Sequence, residues 1–228
     1  WHAIGWDEAL DEAAEKLAHI QREHGRRAVG LFIGNPTVHS YTGILYGQLF
    51  AKQLGTRSLF SSNSVDALPR LLVSLWLYGS QARIPIPDVD RTAFLLVLGA
   101  NPLVSNGSVM TAPDFRRRLR ALEARGGRLV VVDPRRTETA AVADQHLFIR
   151  PGTDALLLAA LVRVVLEEGL ESPHPRLDGV ERLPEILAPF SPEAVARPTG
   201  ISAAEIREVG RAFAQAPSAT CYARLRAS

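Results

Sequence analysis

The segment from Arg128 to Asp154 constrains the fold more than any other part of the chain. Leu129–Val132 is an aliphatic, mostly β-branched run that stops abruptly at Asp133-Pro134-Arg135. A short continuous apolar run fits a strand buried on both faces, and such strands belong to parallel sheets covered by helices. Gln145–Ile149 behaves likewise and stops at Arg150-Pro151-Gly152-Thr153-Asp154, where a helix begins. In an open α/β sheet the ligand crevice lies beyond the carboxyl ends of the strands, so both polar stops are candidate binding positions.

The same rhythm recurs upstream. Ala93–Leu98 is a third apolar run, ending in Gly99-Ala100-Asn101-Pro102; a polar turn and a helix from about Pro113 to Ala124 follow. Ala28–Ile33 reads as a strand that meets Gly34-Asn35-Pro36, and a helix follows from about Ser40 to Leu54, stopped by Gly55. Ahead of it, Ala9, Leu10, Ala13, Ala14, Leu17 and Ile20 share one face of a helix from about Asp7 to His24. Ser58 to Arg70 has no clean period, and its polar cluster Ser61, Ser62, Asn63, Ser64 and Asp66 is a candidate site as well as a plain connector. A strongly apolar helix spans Asp154–Glu168, and a capping box of Ser202 with Glu205 starts another at Ala203. Beyond Gly169 the prolines Pro173, Pro175, Pro184, Pro189, Pro192 and Pro198 punctuate short segments, and no strand is expected there. The expected class is α/β, a parallel sheet flanked by helices.

Several functions fall away on composition. With 228 residues, 46% hydrophobic and 22% charged, the chain can bury a sizeable core and is not disordered by composition. A net charge of +2 gives no reason to expect nucleic acid, and Arg116-Arg117-Arg118 reads as a solvated helix face. The single cysteine, Cys221, allows no internal disulfide and no thiolate metal or iron–sulfur site within this chain; it reads as a buried small apolar residue. No apolar run is long enough to span a membrane. His39 can face the crevice but reads better as a loop residue, and His146 reads as packed rather than catalytic. The chain starts without Met and is expected to be a fragment.

Glycine-rich nucleotide fingerprints of the GxGxxG and Walker kinds are absent, yet the strand ends carry chemistry suited to a dinucleotide. Asp133 or Asp154 can accept from a guanine N1/N2 edge or a ribose hydroxyl, and Arg135 can pair with a phosphate. Gly99 and Gly152 let the backbone approach a ligand closely.

Five motifs in order carry a resemblance. They are Trp6-Asp7-Glu8-Ala9-Leu10, Gly99-Ala100-Asn101-Pro102, Asp133-Pro134-Arg135 with Thr137 and Thr139, Ala143-Asp144, and Pro151-Gly152-Thr153-Asp154. Together they resemble the signature of molybdopterin oxidoreductases, the family of formate dehydrogenases, nitrate reductases, dimethyl sulfoxide reductase and thiosulfate or polysulfide reductases. In that family two pyranopterin guanine dinucleotides hold a molybdenum or tungsten atom. The resemblance implies that residues 1–60 are part of one α/β domain and 61–228 a Rossmann-like domain binding molybdopterin guanine dinucleotide, both within a larger multidomain enzyme.

It further implies cofactor contacts from Gly99, Asn101, Asp133, Arg135, Gly152 and Asp154. The family's protein ligand to the metal falls, counted back from Gly79, on Asp66, with Ser64 as the alternative; either would be the catalytic position. An oxygen ligand is harder than a thiolate and suits a metal that passes oxygen, so oxygen-atom transfer is the expected chemistry over other two-electron redox reactions. A 4Fe-4S cluster is expected in an N-terminal part outside this chain, and the partners implied are a small-molecule substrate and an electron-transfer subunit. A cytoplasmic location is the default expectation, and the 228 residues alone are expected to be inactive. The alternatives are a non-catalytic relative, such as the large iron–sulfur subunit of respiratory complex I, and an unrelated nucleotide-binding α/β protein.

Overall fold

The structure is a computed structural model and describes residues 2–34, 36–37, 40–63, 67–172 and 177–223. Its contacts divide it into two compact units, residues 1–83 and 84–228. The boundary read from the sequence, after residue 60, falls inside a strand of the first unit.

In the first unit, helix α1 (Trp6–His24) has Asp7 and Glu8 in its first turn, where carboxylates face the positive end of the helix dipole. Arg26–Ala28 then form a single 3₁₀ turn. Strand β1 (Leu31–Ile33) is therefore shorter than its apolar run suggests. Helix α2 (Tyr41–Leu54) is capped by Ser40, whose hydroxyl oxygen accepts from the Gly43 N–H at 3.1 Å. Strand β2 (Leu59–Ser61) lies parallel to β1, with Leu31 opposite Leu59, and helix α3 (Leu68–Tyr78) follows. Among the described hydrophobic residues of this unit only Val29 and Leu54 are buried, while Trp6, Tyr41 and Trp76 stand in solvent.

The second unit carries the parallel sheet that the sequence announces. Its strands are β3 (Phe94–Leu98), β4 (Arg128–Val132), β5 (Gln145–Leu147) and β6 (Ala219–Ala223), in the spatial order β5-β4-β3-β6 and all parallel. Every residue of β3 is buried, because helices cover both faces of the sheet. On one face Phe94, Leu96, Leu98, Val130 and Val132 pack against α7 (Asp154–Glu167), α9 (Pro192–Thr199) and α10 (Ala203–Gln215). On the other, Leu95, Val97, Leu129 and Val131 meet Phe115 and Leu122 of α5 (Phe115–Ala124). Short helices α4 (Pro102–Ser105) and α6 (Glu138–Ala141) follow β3 and β4, and α8 (Leu183–Leu187) lies in the proline-punctuated region. The capping box at α10 is present: the Ser202 N–H donates to Glu205 at 3.0 Å, and the Glu205 N–H donates to Ser202 Oγ at 3.2 Å.

Strand β6 corrects the expectation that nothing beyond Gly169 is extended. Ala-Thr-Cys-Tyr-Ala has no apolar run to betray it, and the strand lies at the sheet edge with only Tyr222 buried. Cys221 is a partial correction, since the residue keeps exposed surface at the sheet edge while its thiol is desolvated. No strand among the described residues pairs with the outer edge of β6, and the Cys221 side chain lines an apolar cavity of about 770 Å³ beside α7 and α10, where desolvation pushes the thiol up to about 11.

Candidate functional site

From β3 the chain lays down β4 and then β5 on one side, and returns to place β6 on the other side of β3. The order reverses between β3 and β6, and open α/β sheets of this topology meet their ligands beyond the carboxyl ends of the strands. Gly99 and Asn101 follow β3, Asp133 and Arg135 follow β4, and Gly152 and Asp154 follow β5. The six residues named for the cofactor thus stand along the carboxyl edge of three adjacent strands. Pairing runs up to the polar stops: the Gly99 N–H donates to Val132 O at 2.9 Å and the Asp133 N–H to Leu147 O at 3.2 Å.

Asp133 is buried, and its Oδ1 accepts from the Arg135 N–H at 2.8 Å, a local turn that ends the strand. The Asp133 carbonyl bonds His146 Nε2 at 3.0 Å. A carbonyl only accepts, so that nitrogen carries the hydrogen. The His146 ring also packs on Phe148, with centroids 4.1 Å apart. Arg135 is exposed, and among the described residues its guanidinium makes no hydrogen bond. Gly152 has φ +82°, and a Cβ there would meet nothing within 4 Å, so the turn before α7 needs glycine for its backbone and leaves open space.

Asp154 is the first residue of α7 and is buried, with 9% of its surface exposed. Neither carboxylate oxygen has a hydrogen-bond partner among the described residues. The positive end of α7 offsets part of that cost, but helix ends do not replace direct donors. Buried acceptors without donors are rare enough in folded proteins to call for an explanation.

Asn101 is engaged differently. Its Oδ1 accepts from the Thr139 N–H at 3.2 Å and from the Thr139 hydroxyl at 2.8 Å, and its Nδ2 donates to Glu138 Oε2 at 2.6 Å. Only one amide N–H is left for a ligand. A hydrogen bond from its own backbone N–H, then the Asn101 amide and the Arg135 charge, hold the Glu138 carboxyl below the usual carboxylate range.

Asp66, Ser64 and His39 lie outside the described residues. Among the described residues no group of three or more His, Cys, Asp or Glu lies together to hold a metal ion, and no helix is long and apolar enough to cross a membrane. His146 is packed in its strand, as expected, and what the sequence did not show is its bond to the Asp133 carbonyl or the engagement of Glu138 and Thr139 with Asn101. Thr139 stood only within a motif, and His146 gave no signal beyond its place next to the Pro151-Gly152-Thr153-Asp154 turn.

A doubly wound parallel sheet with acidic, amide and glycine residues at neighbouring strand ends has the architecture of the dinucleotide-binding α/β class. The chain belongs to the molybdopterin oxidoreductase family, whose model matches residues 1–199. It is 30% identical to formate dehydrogenase H of Escherichia coli over 226 residues, covering 95% of this chain and 30% of that protein. It is 33% identical to acetylene hydratase of Syntrophotalea acetylenica, over 94% of this chain and 28% of the relative. Among solved structures, acetylene hydratase from Pelobacter acetylenicus superposes with a TM-score of 0.74 at 29% identity, covering 99% of this chain and 30% of that one. The chain thus spans about 30% of the length of the relatives it matches. Their names cover a dehydrogenase and a hydratase, so the matched segment is common to different reactions.

Proposed function

We propose that residues 84–228 bind the guanine dinucleotide part of a molybdopterin cofactor, as part of the catalytic subunit of a molybdenum- or tungsten-dependent oxidoreductase. The observation that carries this reading is the Asp154 carboxylate, buried at the carboxyl edge of the sheet without a donor among the described residues. A guanine N1–H and N2–H pair supplies two parallel donors, the complement of a carboxylate's two oxygens. Asp133 adds its second oxygen for the ribose or the base, the exposed Arg135 guanidinium pairs with the diphosphate, and Gly152, beside open space, together with Gly99 lets the backbone approach. When bound, the metal centre supplies two-electron redox chemistry, of which oxygen-atom transfer is the form an oxygen ligand from Asp66, or Ser64, favours. A 4Fe-4S cluster outside this chain and an electron-transfer subunit complete the reading.

The test is composition of the full-length protein produced with cofactor supply. The expected result is molybdenum or tungsten together with guanine nucleotide near the stoichiometry of the chain, and loss of the nucleotide in Asp154→Asn. Protein that carries neither metal nor guanine after proper supply refutes the reading and favours a structural relative. Nucleotide retained in full by Asp154→Asn refutes the assignment of that residue.

A further inference from the structure

The loops leaving β3 and β4 are separate in sequence but joined by one cluster of hydrogen bonds. Thr139 is fully buried at the start of α6. Its hydroxyl donates to Asn101 Oδ1 at 2.8 Å and accepts from the Leu103 N–H at 3.2 Å, while its own N–H donates to the same Asn101 oxygen at 3.2 Å. The Asn101 amide closes the ring onto Glu138 at 2.6 Å. A hydroxyl has one hydrogen to give, and here it is committed to Asn101, so the Leu103 N–H meets a lone pair and the arrangement has one solution. The amide orientation is fixed in the same way, because the oxygen faces two donors and the nitrogen faces a carboxylate.

Thr139 has no exposed surface through which to touch a ligand. What it controls is the separation of two loops, one carrying Gly99 and Asn101, the other Asp133 and Arg135. We propose that Thr139 is a positioning residue: with Asn101 and Glu138 it clips the two strand-end loops into one rigid edge, so that the groups of both meet a guanine nucleotide without reorganisation. The proposal rests on the nucleotide-binding reading given above. A site held in its binding geometry loses its ligand more slowly than one whose halves drift, because binding then costs less ordering.

The experiment uses the full-length protein loaded with its cofactor. Guanine nucleotide remaining on the protein is followed over time, by acid hydrolysis to guanosine monophosphate and quantification, beside the thermal midpoint of the cofactor-free form. Thr139→Val keeps the shape and removes both hydroxyl bonds; the expected result is nucleotide release about tenfold faster, the effect of losing roughly two hydrogen bonds at the edge. Thr139→Ser keeps the hydroxyl and is expected to release within about twofold of the unaltered protein. Release by a folded Thr139→Val protein at the unaltered rate overturns the proposal. So does equally fast release by Thr139→Ser, which would mean that packing of the methyl group, and not the hydroxyl, is what matters.

If Thr139→Val does not accumulate as folded protein, Glu138→Ala tests the same clip from its exposed side. Accelerated release supports the proposal and unchanged release overturns it. Asp154→Asn, measured alongside, separates the two levels of inference. Fast release in Asp154→Asn with no change in the Thr139 and Glu138 variants defeats the clip and leaves the nucleotide site standing. No change in any variant defeats both.

Discussion

Replacing Asp154 by Asn should stabilise the empty protein and weaken the loaded one. The carboxylate is buried at the first position of α7, and among the described residues neither oxygen has a donor. A buried polar group left without its hydrogen bond costs about 1–3 kcal/mol, and more when charged. The helix terminus returns about 0.3–1 kcal/mol to an anion at this position. Asparagine keeps the shape, removes the charge and forfeits most of the helix-end term, leaving a net gain of about 1 kcal/mol. For a chain of this size that raises the thermal midpoint by about 2–4 °C. Circular dichroism melts of cofactor-free protein at neutral pH measure it. With cofactor bound the sign reverses, since ligand-derived stabilisation grows with affinity and the variant has lost an acceptor pair. A lower midpoint for the empty Asp154→Asn protein would refute the reasoning, for it would show that the carboxylate already has its donors within the fold.

Two further predictions follow from the packing and the surface. Val131 is fully buried between the sheet and α5, and Val131→Ala should cost about 2–3 kcal/mol, read from the denaturant midpoint at unchanged slope; a loss below about 1 kcal/mol would mean that this layer is loosely packed. The Arg211 guanidinium, 2.7 Å from Glu168, holds that carboxyl below its usual 4.5. A depressed carboxylate contributes stability above its unfolded value and loses it as pH falls through the folded one. Arg211→Gln should therefore weaken the protein at neutral pH and converge with it on acidification below 4.5; an equal deficit at both ends would exclude the ion pair as the cause.

The central strands were legible because burial on both faces leaves an unbroken apolar run, as in Leu95–Leu98 and Leu129–Val132, and because each run ends where polar residues begin. Strands that lack such burial were not. The β2 segment is three residues long with every side chain exposed, and β6 carries Ala, Thr and Cys, which any loop would also tolerate. The 3₁₀ turn at Arg26–Ala28 took the front off a strand whose hydrophobic run began at Ala28, since periodicity does not register a local turn. At the candidate site, residue identities were readable but their engagements were not. Nothing in the sequence showed Asn101 engaged, yet it accepts two hydrogen bonds from Thr139 and donates one to Glu138, which together occupy most of its side chain. Asp154 was readable as a candidate acceptor at a helix start, and only the packed structure reveals that both its oxygens are buried without a partner among the described residues.

The place of β6 has a consequence for how the protein is made. Phe94 pairs with Arg128 on one flank and with Ala219 on the other, so the two flanks of the central strand are completed at very different times during synthesis. Bringing the later partner back costs roughly 1 kcal/mol more in chain entropy than bringing the earlier one. At ordinary translation rates the open flank waits roughly ten seconds on the ribosome, available to any extended segment that passes. A nascent chain stalled before Ala219 should therefore expose an unpaired edge at the heart of its sheet, and it is there that chaperones would have to act.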